Sequence, residues 1–218
     1  IGADAFRRSG IQETYLPQTI KSIGSYAFAD CTKLISATIV GPASIGLSAF
    51  SNCSNLQTLD LGDQITEIGN GAFSKCVSLE KVQIPETVSL IGLRAFADCT
   101  ALQEITLPDV SIHIMGDIID ATAYYKNLQN WQEGALYVGN HLLEVNDQTD
   151  GKSRTSYDIR EGTVTVADYA LSVCSSLKQL TFPSSLRRIG SYMIGRSSLT
   201  SIVLPDGLIS IGDYCFRN

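Results

Sequence analysis

Five of the six cysteines fall at positions 31, 53, 76, 99 and 174, and thiols in register are the first residues here that could do chemistry. A nucleophilic thiol needs a base within hydrogen-bond reach and a third group to orient that base. The chain holds two histidines, His113 and His141, both in or beside its least regular stretch. Each of the five cysteines instead lies eight residues after an Ile or Val, in a slot that Ser9, Ala123 and Ser197 fill elsewhere. A slot shared by Cys, Ser and Ala calls for a small, weakly polar side chain packed against a turn. Stacked strands lie about 4.8 Å apart with side chains parallel, slightly beyond the Cβ spacing of about 3.8 Å that a disulfide prefers. Buried, mostly unbridged thiols are expected, and Cys215, outside this series, reads as a core filler. On this inventory the chain is not an enzyme.

Other chemistries fare no better. "NDQTDG" at Asn146 to Gly151 imitates the start of a calcium loop, with Asn146, Asp147 and Asp150 as candidate ligands, yet Tyr157 stands where such a loop places its bidentate Glu. A solvated turn is the better reading, and neither a metal nor a cofactor is expected. Paired carboxylates at a fixed spacing are absent from the repeats, and no glycine-rich phosphate loop follows a strand. "NCS" at Asn52 matches a glycosylation acceptor by accident of composition. The net charge of −6 and pI near 4.9 argue against nucleic acid, whose phosphates require a basic stripe. No run approaches the roughly 20 apolar residues of a membrane span.

The elements that would carry these residues are repeats. "IGADAF" at Ile1 returns as "IGSYAF" at Ile23, "IGLSAF" at Ile45, "IGNGAF" at Ile68 and "IGLRAF" at Ile91. Weaker forms start at Met115 and Val166, and "IGSYMI" and "IGDYCF" follow at Ile189 and Ile211. The steps are 22, 22, 23, 23, 24, 51, 23 and 22 residues, so one interval is a repeat plus an insertion and the rest is a tandem array. With the anchor Ile as position 1, a unit reads I-G-x-x-A-F-x-x-C-x-x-L-x-x-h-x-h-P-x-x-h, where h is apolar. The L-x-x-h-x-h core ends in the alternation of a half-buried strand, and the proline after it (Pro17, Pro85, Pro108, Pro183, Pro205) ends the ladder. Gly occupies position 2 in eight of nine units, with Ala167 the exception, which suggests tight packing as much as a dihedral need. Six of the seven Phe residues occupy position 6 (Phe6, Phe28, Phe50, Phe73, Phe96, Phe216), with Leu171 and Ile194 in the same slot. They should form an internal stack. The unit at Met115 puts Asp120 in that slot. The chain opens within a repeat and shows no capping unit at either end, which reads as part of a longer protein.

These units resemble leucine-rich repeats of the BspA-like type, which share the L-x-x-h-x-h-P followed by I-G-x-x-A-F-x-x-C. Tyr26, Tyr169, Tyr192 and Tyr214 at position 4 match the "IGDYAF" form of that family. The resemblance implies a right-handed leucine-rich-repeat solenoid, α/β-type by class and mostly β in content. A parallel sheet would line its concave side, with short strands, turns or 3-10 pieces on the convex side. It also implies a surface-exposed or secreted bacterial protein, extracellular in location, that binds host or matrix proteins or other cells. Chains of this type often carry an L-Y-x-G-x-x-L segment between blocks of repeats, as "LYVGNHL" does here. The organisation expected is an N-terminal repeat block over 1–115, a degenerate repeat and β-hairpin joint over 116–163, and a C-terminal repeat block over 164–218. Within the joint, "ALYVGNHLLEV" alternates as a hairpin turning at Gly139-Asn140.

Function is then sought among the x positions. Those of the strand should face outward in two columns, which include Tyr15, Thr38, Thr58, Asp60, Lys81, Gln83, Glu104 and Thr106. Concave solenoid faces are extended docking platforms, and protein recognition or adhesion is the function expected of this one. The rivals are a spacer that displays another domain and a glycan-binding surface, for which the two columns offer one aromatic, Tyr15. The joint gathers Tyr124, Tyr125, Trp131 and Tyr137, either as interface anchors or as the small core of a hairpin.

Overall fold

The computed structural model describes every residue except Pro42, Asp150, Gly151 and Asn218, and for Gln148 and Thr149 the backbone alone. The chain is a parallel-strand β-solenoid of about eight turns with almost no helix. It divides into two compact units, one of Ile1–Pro108 with Asp117–Leu128, the other of Asp109–Gly116 with Gln129–Asn218.

In the first unit each repeat contributes two strands. The longer ones are β1 (Glu13–Leu16), β3 (Ser36–Ile39), β5 (Thr58–Asp60), β7 (Lys81–Gln83) and β9 (Glu104–Thr106). Between them lie two-residue strands, β2 (Ser22–Ile23), β4 (Ser44–Ile45), β6 (Glu67–Ile68) and β8 (Leu90–Ile91), which end on the anchor Ile. All pair in parallel, β1-β3-β5 and β7-β9 on one side and β2, β4, β6 and β8 in sequence on the other. Where Pro17 and Pro85 follow the longer strands, their carbonyls accept from the amides of Ile20 and Val88, so each proline opens the turn to the second strand.

The I-G-x-x-A-F segment between strands is a double turn. Position 4 is left-handed at Asp4, Tyr26, Ser48, Gly71 and Arg94, and position 8 at Arg8, Asp30, Asn52, Lys75 and Asp98. These turns hydrogen-bond rung to rung, as Phe50 N to the Ala72 carbonyl at 2.7 Å and Phe73 N to the Ala95 carbonyl at 2.8 Å. The expected column is present in this unit: Phe6, Phe28, Phe50, Phe73 and Phe96 stack with centroids 4.9, 4.8, 5.2 and 5.3 Å apart and planes within 9°. The cysteine slot has its own logic. The thiols of Cys31, Cys53, Cys76 and Cys99 donate to the carbonyls of Phe6, Phe28, Phe50 and Phe73 at 3.0 to 3.3 Å. Each buried free thiol thus adds a second donor to a carbonyl that already accepts a turn amide, as the Phe50 carbonyl does from Cys53 N at 3.3 Å, which is why a small hydroxyl residue also fits the slot.

Position 2 is glycine for space. None of these glycines has positive φ, and a Cβ on Gly69 would sit 2.7 Å from the Ile45 oxygen and 2.8 Å from the Gly46 carbon. Those are backbone atoms, and Gly69 N already donates to that oxygen at 2.8 Å. Gly69→Ala is therefore expected to cost about 2 to 4 kcal/mol, combining overpacking with a weakened hydrogen bond. Urea unfolding measures it; a loss under about 0.5 kcal/mol would contradict the packing account.

The degenerate repeat is shifted by one residue from the sequence reading. Its anchor is Ile114, which ends strand β10 (His113–Ile114) and is buried. Asp117 and Ala121 then hold the two left-handed positions. The buried Ile119 therefore takes the Phe slot and Thr122 the Cys slot, while Asp120 is displaced outward to meet Arg94 at 3.0 Å. Thr122 accepts from Tyr125 N at 3.0 Å and caps α1 (Ala123–Lys126), and a 3-10 turn covers Leu128–Asn130.

The second unit begins with the joint. Strand β11 (Trp131–Gln132) pairs antiparallel with β12 (Ala135–Val138), and β12 with β13 (His141–Val145). The hairpin turns at Gly139-Asn140 as expected, with positive φ at Gly139 alone, the pattern of a type II′ turn. Strand β13 is also a rung: it pairs in parallel with β17 (Thr165–Val166), which continues to β19 (Arg188–Ile189) and β20 (Ser210–Ile211). Val145 fills the Phe slot of this rung, and the Cys174 thiol reaches its carbonyl at 3.6 Å. Ala167, at position 2 of the next rung, is buried and donates its amide to the Leu142 carbonyl of β13 at 2.9 Å. The polar stretch after it forms short strands β14 (Gln148–Thr149) and β15 (Lys152–Ser153), and β16 (Ser156–Asp158) pairs in parallel with β18 (Gln179–Thr181). Leu171 and Ile194 are buried in the core of this unit, with Phe216 packed against it.

Candidate functional site

The period of two along each longer strand decides which side chains are free. In β7 and β9 Val82 and Ile105 point inward and are buried, while Lys81, Gln83, Glu104 and Thr106 are exposed. In β1 to β5 Tyr15, Thr58 and Asp60 are exposed and Thr38 is half-buried. Parallel register lines them up: Tyr15 beside Thr38 beside Asp60, Lys81 beside Glu104, Gln83 beside Thr106. The eight residues expected on this face all stand on it.

The face is not uniform. The ladder is interrupted between β5 and β7, where Leu61-Gly62 stands in place of the residue-proline step and Gly62 adopts φ 56°. Over the interruption lies an open depression of about 690 Å³ lined by Asp60, Asp63, Lys81, Gln83, Glu86, Glu104 and Thr106 among others. Four carboxylates surround one ammonium, so the field at its mouth is negative. Asp63 and Glu86 were not among the expected site residues, because they follow the strand rather than alternate within it; their signal was their place in the turn that the interruption opens.

The joint residues separate. Tyr137 is 7% exposed; its hydroxyl meets that of Tyr157 at 2.9 Å and accepts from Arg160 N at 3.2 Å, and the Arg160 guanidinium lies 4.1 Å over its ring. Burial and this bond raise the Tyr157 phenol far above its ordinary range. Such a pair builds a hairpin core. Tyr124, Tyr125 and Trp131 are half-buried, the tyrosines on α1 of the first unit and Trp131 on β11 of the second.

His113 Nε2 lies 3.3 Å from Asp168 Oδ1, and that oxygen also accepts from Ser191 N at 2.7 Å. The pair ties strand ends together. Of the calcium-loop candidates, Asp150 lies outside the described residues, and among the described residues no group of three or more His, Cys, Asp or Glu side chains could hold a metal ion. Nor is any helix among them long and apolar enough to cross a membrane.

A family profile described as the BspA type leucine rich repeat region matches residues 1–129 and 150–218 in six copies. No curated protein matches the sequence. A leucine rich cell surface protein from Faecalibacterium prausnitzii A2-165 is similar in structure at 23% identity and a TM-score of 0.54, over 97% of this chain and 72% of that one. The leucine-rich repeat protein of T. pallidum is similar at 22% identity and a TM-score of 0.51, over 94% of this chain and 87% of that one. At these identities the likeness is one of fold.

Proposed function

The chain belongs to the BspA-type leucine-rich repeat family, and from that premise we propose that it is a protein-recognition module of a bacterial protein displayed on the cell surface or secreted, serving adhesion to a host, matrix or neighbouring-cell protein. The observation that carries the reading is the depression over β5, β7 and β9, ringed by exposed polar side chains where the ladder is interrupted. Paired strands already order the backbone beneath these side chains, so no loop has to be ordered on binding, which lowers the cost of association. The four carboxylates beside Lys81 favour a partner with a positively charged surface, and charge complementarity of this kind governs on-rate and specificity.

The test is solid-phase binding of the whole chain to a panel of extracellular matrix proteins, with Asp60→Lys/Glu104→Lys and Gln83→Ala/Thr106→Ala beside the parent. Affinity for the bound partner is expected to fall at least tenfold in the charge-reversed pair and to weaken as salt rises, since exposed charges are screened beyond about 10 Å at 0.1 M salt. Binding indifferent to both pairs would remove the site from this face, and no binding to any member would favour a spacer.

A further inference from the structure

Position 4 of the repeat is left-handed throughout, and the first unit shows what that position needs: Asp4, Ser48, Gly71 and Arg94 all serve, with one tyrosine, Tyr26, half-buried under the Arg7 guanidinium. In the second unit three successive rungs carry tyrosine there, Tyr169, Tyr192 and Tyr214, at φ 62°, 50° and 52°. A bulky side chain at positive φ is an outlier, and the fold does not require it, since Gly71 fills the same position. An outlier retained three times in a row points to function.

The three rings stack 5.3 and 5.0 Å apart, yet they are 47%, 39% and 55% exposed. Their hydroxyls bond to no described residue. One guanidinium lies on the ladder, and a second arginine stands in the neighbouring turn. Arg217 lies 5.2 Å over the Tyr214 ring, and Arg196, at position 8 of the Tyr192 rung, has its amide on the Arg217 carbonyl. Positions 4 and 8 share a face, as Arg94 and Asp98 show by meeting at 3.2 Å in the first unit. Neither Arg196 nor Arg217 forms an ion pair among the described residues.

We propose that this tyrosine ladder, with Arg196 and Arg217, binds an extended polysaccharide that bears carboxylate or sulfate groups. The exposed surface decides the class of ligand. Three rings of roughly 200 Å² each, half exposed, leave roughly 300 Å², well short of the roughly 800 Å² per partner of a stable protein interface. A ridge one ring wide and about 10 Å long suits a chain of sugar rings. Stacking occupies the ring faces, so what remains is a row of phenol hydroxyls, each able to donate and accept, against the hydroxyls of successive sugars. The guanidiniums supply bidentate donors for an anionic substituent; of the two described aspartates that precede a ladder tyrosine in sequence, Asp168 is held by His113 and Ser191 N, which leaves Asp213.

Native affinity electrophoresis of the whole chain through gels carrying covalently immobilised polygalacturonate, heparin or neutral dextran tests this. Retardation by polygalacturonate, by heparin or by both is expected, which also separates the carboxylate from the sulfate source, with none by dextran. Tyr192→Asn/Tyr214→Asn and Arg196→Gln/Arg217→Gln should each raise the dissociation constant at least tenfold, and Tyr26→Asn should leave it unchanged. Asn accepts positive φ, and the exposed arginine pair keeps the test valid should the tyrosine pair fail to fold. No retardation by either polyanion, equal retardation by dextran, or retardation untouched by the arginine pair would overturn the proposal.

Discussion

The chain is expected to unfold cooperatively between about pH 10 and 11, far more abruptly than its surface charge would require. Burial pushes the thiols of Cys53 and Cys215 up to about 12 and that of Cys174 to about 11, and raises Cys76 well above its ordinary value. An unfolded thiol titrates near 8.5. The folded chain therefore holds protons that the unfolded chain releases, so this stabilisation is complete below about pH 8.5 and is lost as pH rises toward the folded values. Each such group changes stability by about 1.4 kcal/mol per pH unit, and the three with stated values together by about 4. Two pH units then remove about 8 kcal/mol, the size of a whole domain's stability. Circular dichroism against pH, with urea titrations at each step, measures the slope. Cys53→Ser provides the internal comparison, because the slot accepts serine at Ser9 and Ser197 and a hydroxyl does not titrate here. Its slope should be smaller by about 1.4 kcal/mol per pH unit; an unchanged slope would mean that groups other than the thiols drive the transition. At pH 8 the native thiols should be inert to a disulfide reagent, and all six should react once the chain is unfolded.

Those thiols illustrate what the sequence makes legible. A slot repeated at a fixed period by Cys, Ser and Ala reveals its size and its polarity, and the period-two alternation in L-x-x-h-x-h reveals which residues face outward. The same letters misplace the degenerate repeat, because Gly116 draws the eye to an anchor at Met115, whereas the backbone is ordered by left-handed turns at Asp117 and Ala121. Dihedral signs are not written in residue types when Asp, Ser, Arg, Ala and Tyr can all occupy the left-handed positions. The rung built by β13 is hidden for a related reason: "HLLEV" lacks the I-G-x-x-A-F signature, and its strand replaces the turn rather than repeating it. At the candidate site, Lys81, Gln83, Glu104 and Thr106 could be placed on one face from spacing alone. The depression beneath them could not, since it arises where the ladder skips between β5 and β7. The tyrosines at position 4 are visible as a motif, but their exposure follows from the turn geometry that aims them outward.

The second large effect belongs to the phenylalanine column. Phe73 is fully buried, with Phe50 at 5.2 Å on one side and Phe96 at 5.3 Å on the other. Phe73→Ala removes the transfer energy of the ring and leaves a cavity bounded by two stiff neighbours, which together cost about 3 to 5 kcal/mol. In a solenoid, stability is held in each unit and its contacts with the next, so a central ring is coupled to both neighbours and a terminal ring to one. Phe6, stacked on Phe28 alone and 41% exposed, should lose less than half as much on the same truncation. Ile119, Leu171 and Ile194 show that the slot accepts an aliphatic side chain, so Phe73→Leu should fall between, at about 1 to 2 kcal/mol. Urea unfolding of the three variants gives the order directly. Equal losses for Phe73→Ala and Phe6→Ala would mean that the column is a row of independent contacts rather than a coupled stack, and the rung-to-rung account of this solenoid's stability would have to be replaced by one resting on the backbone ladders.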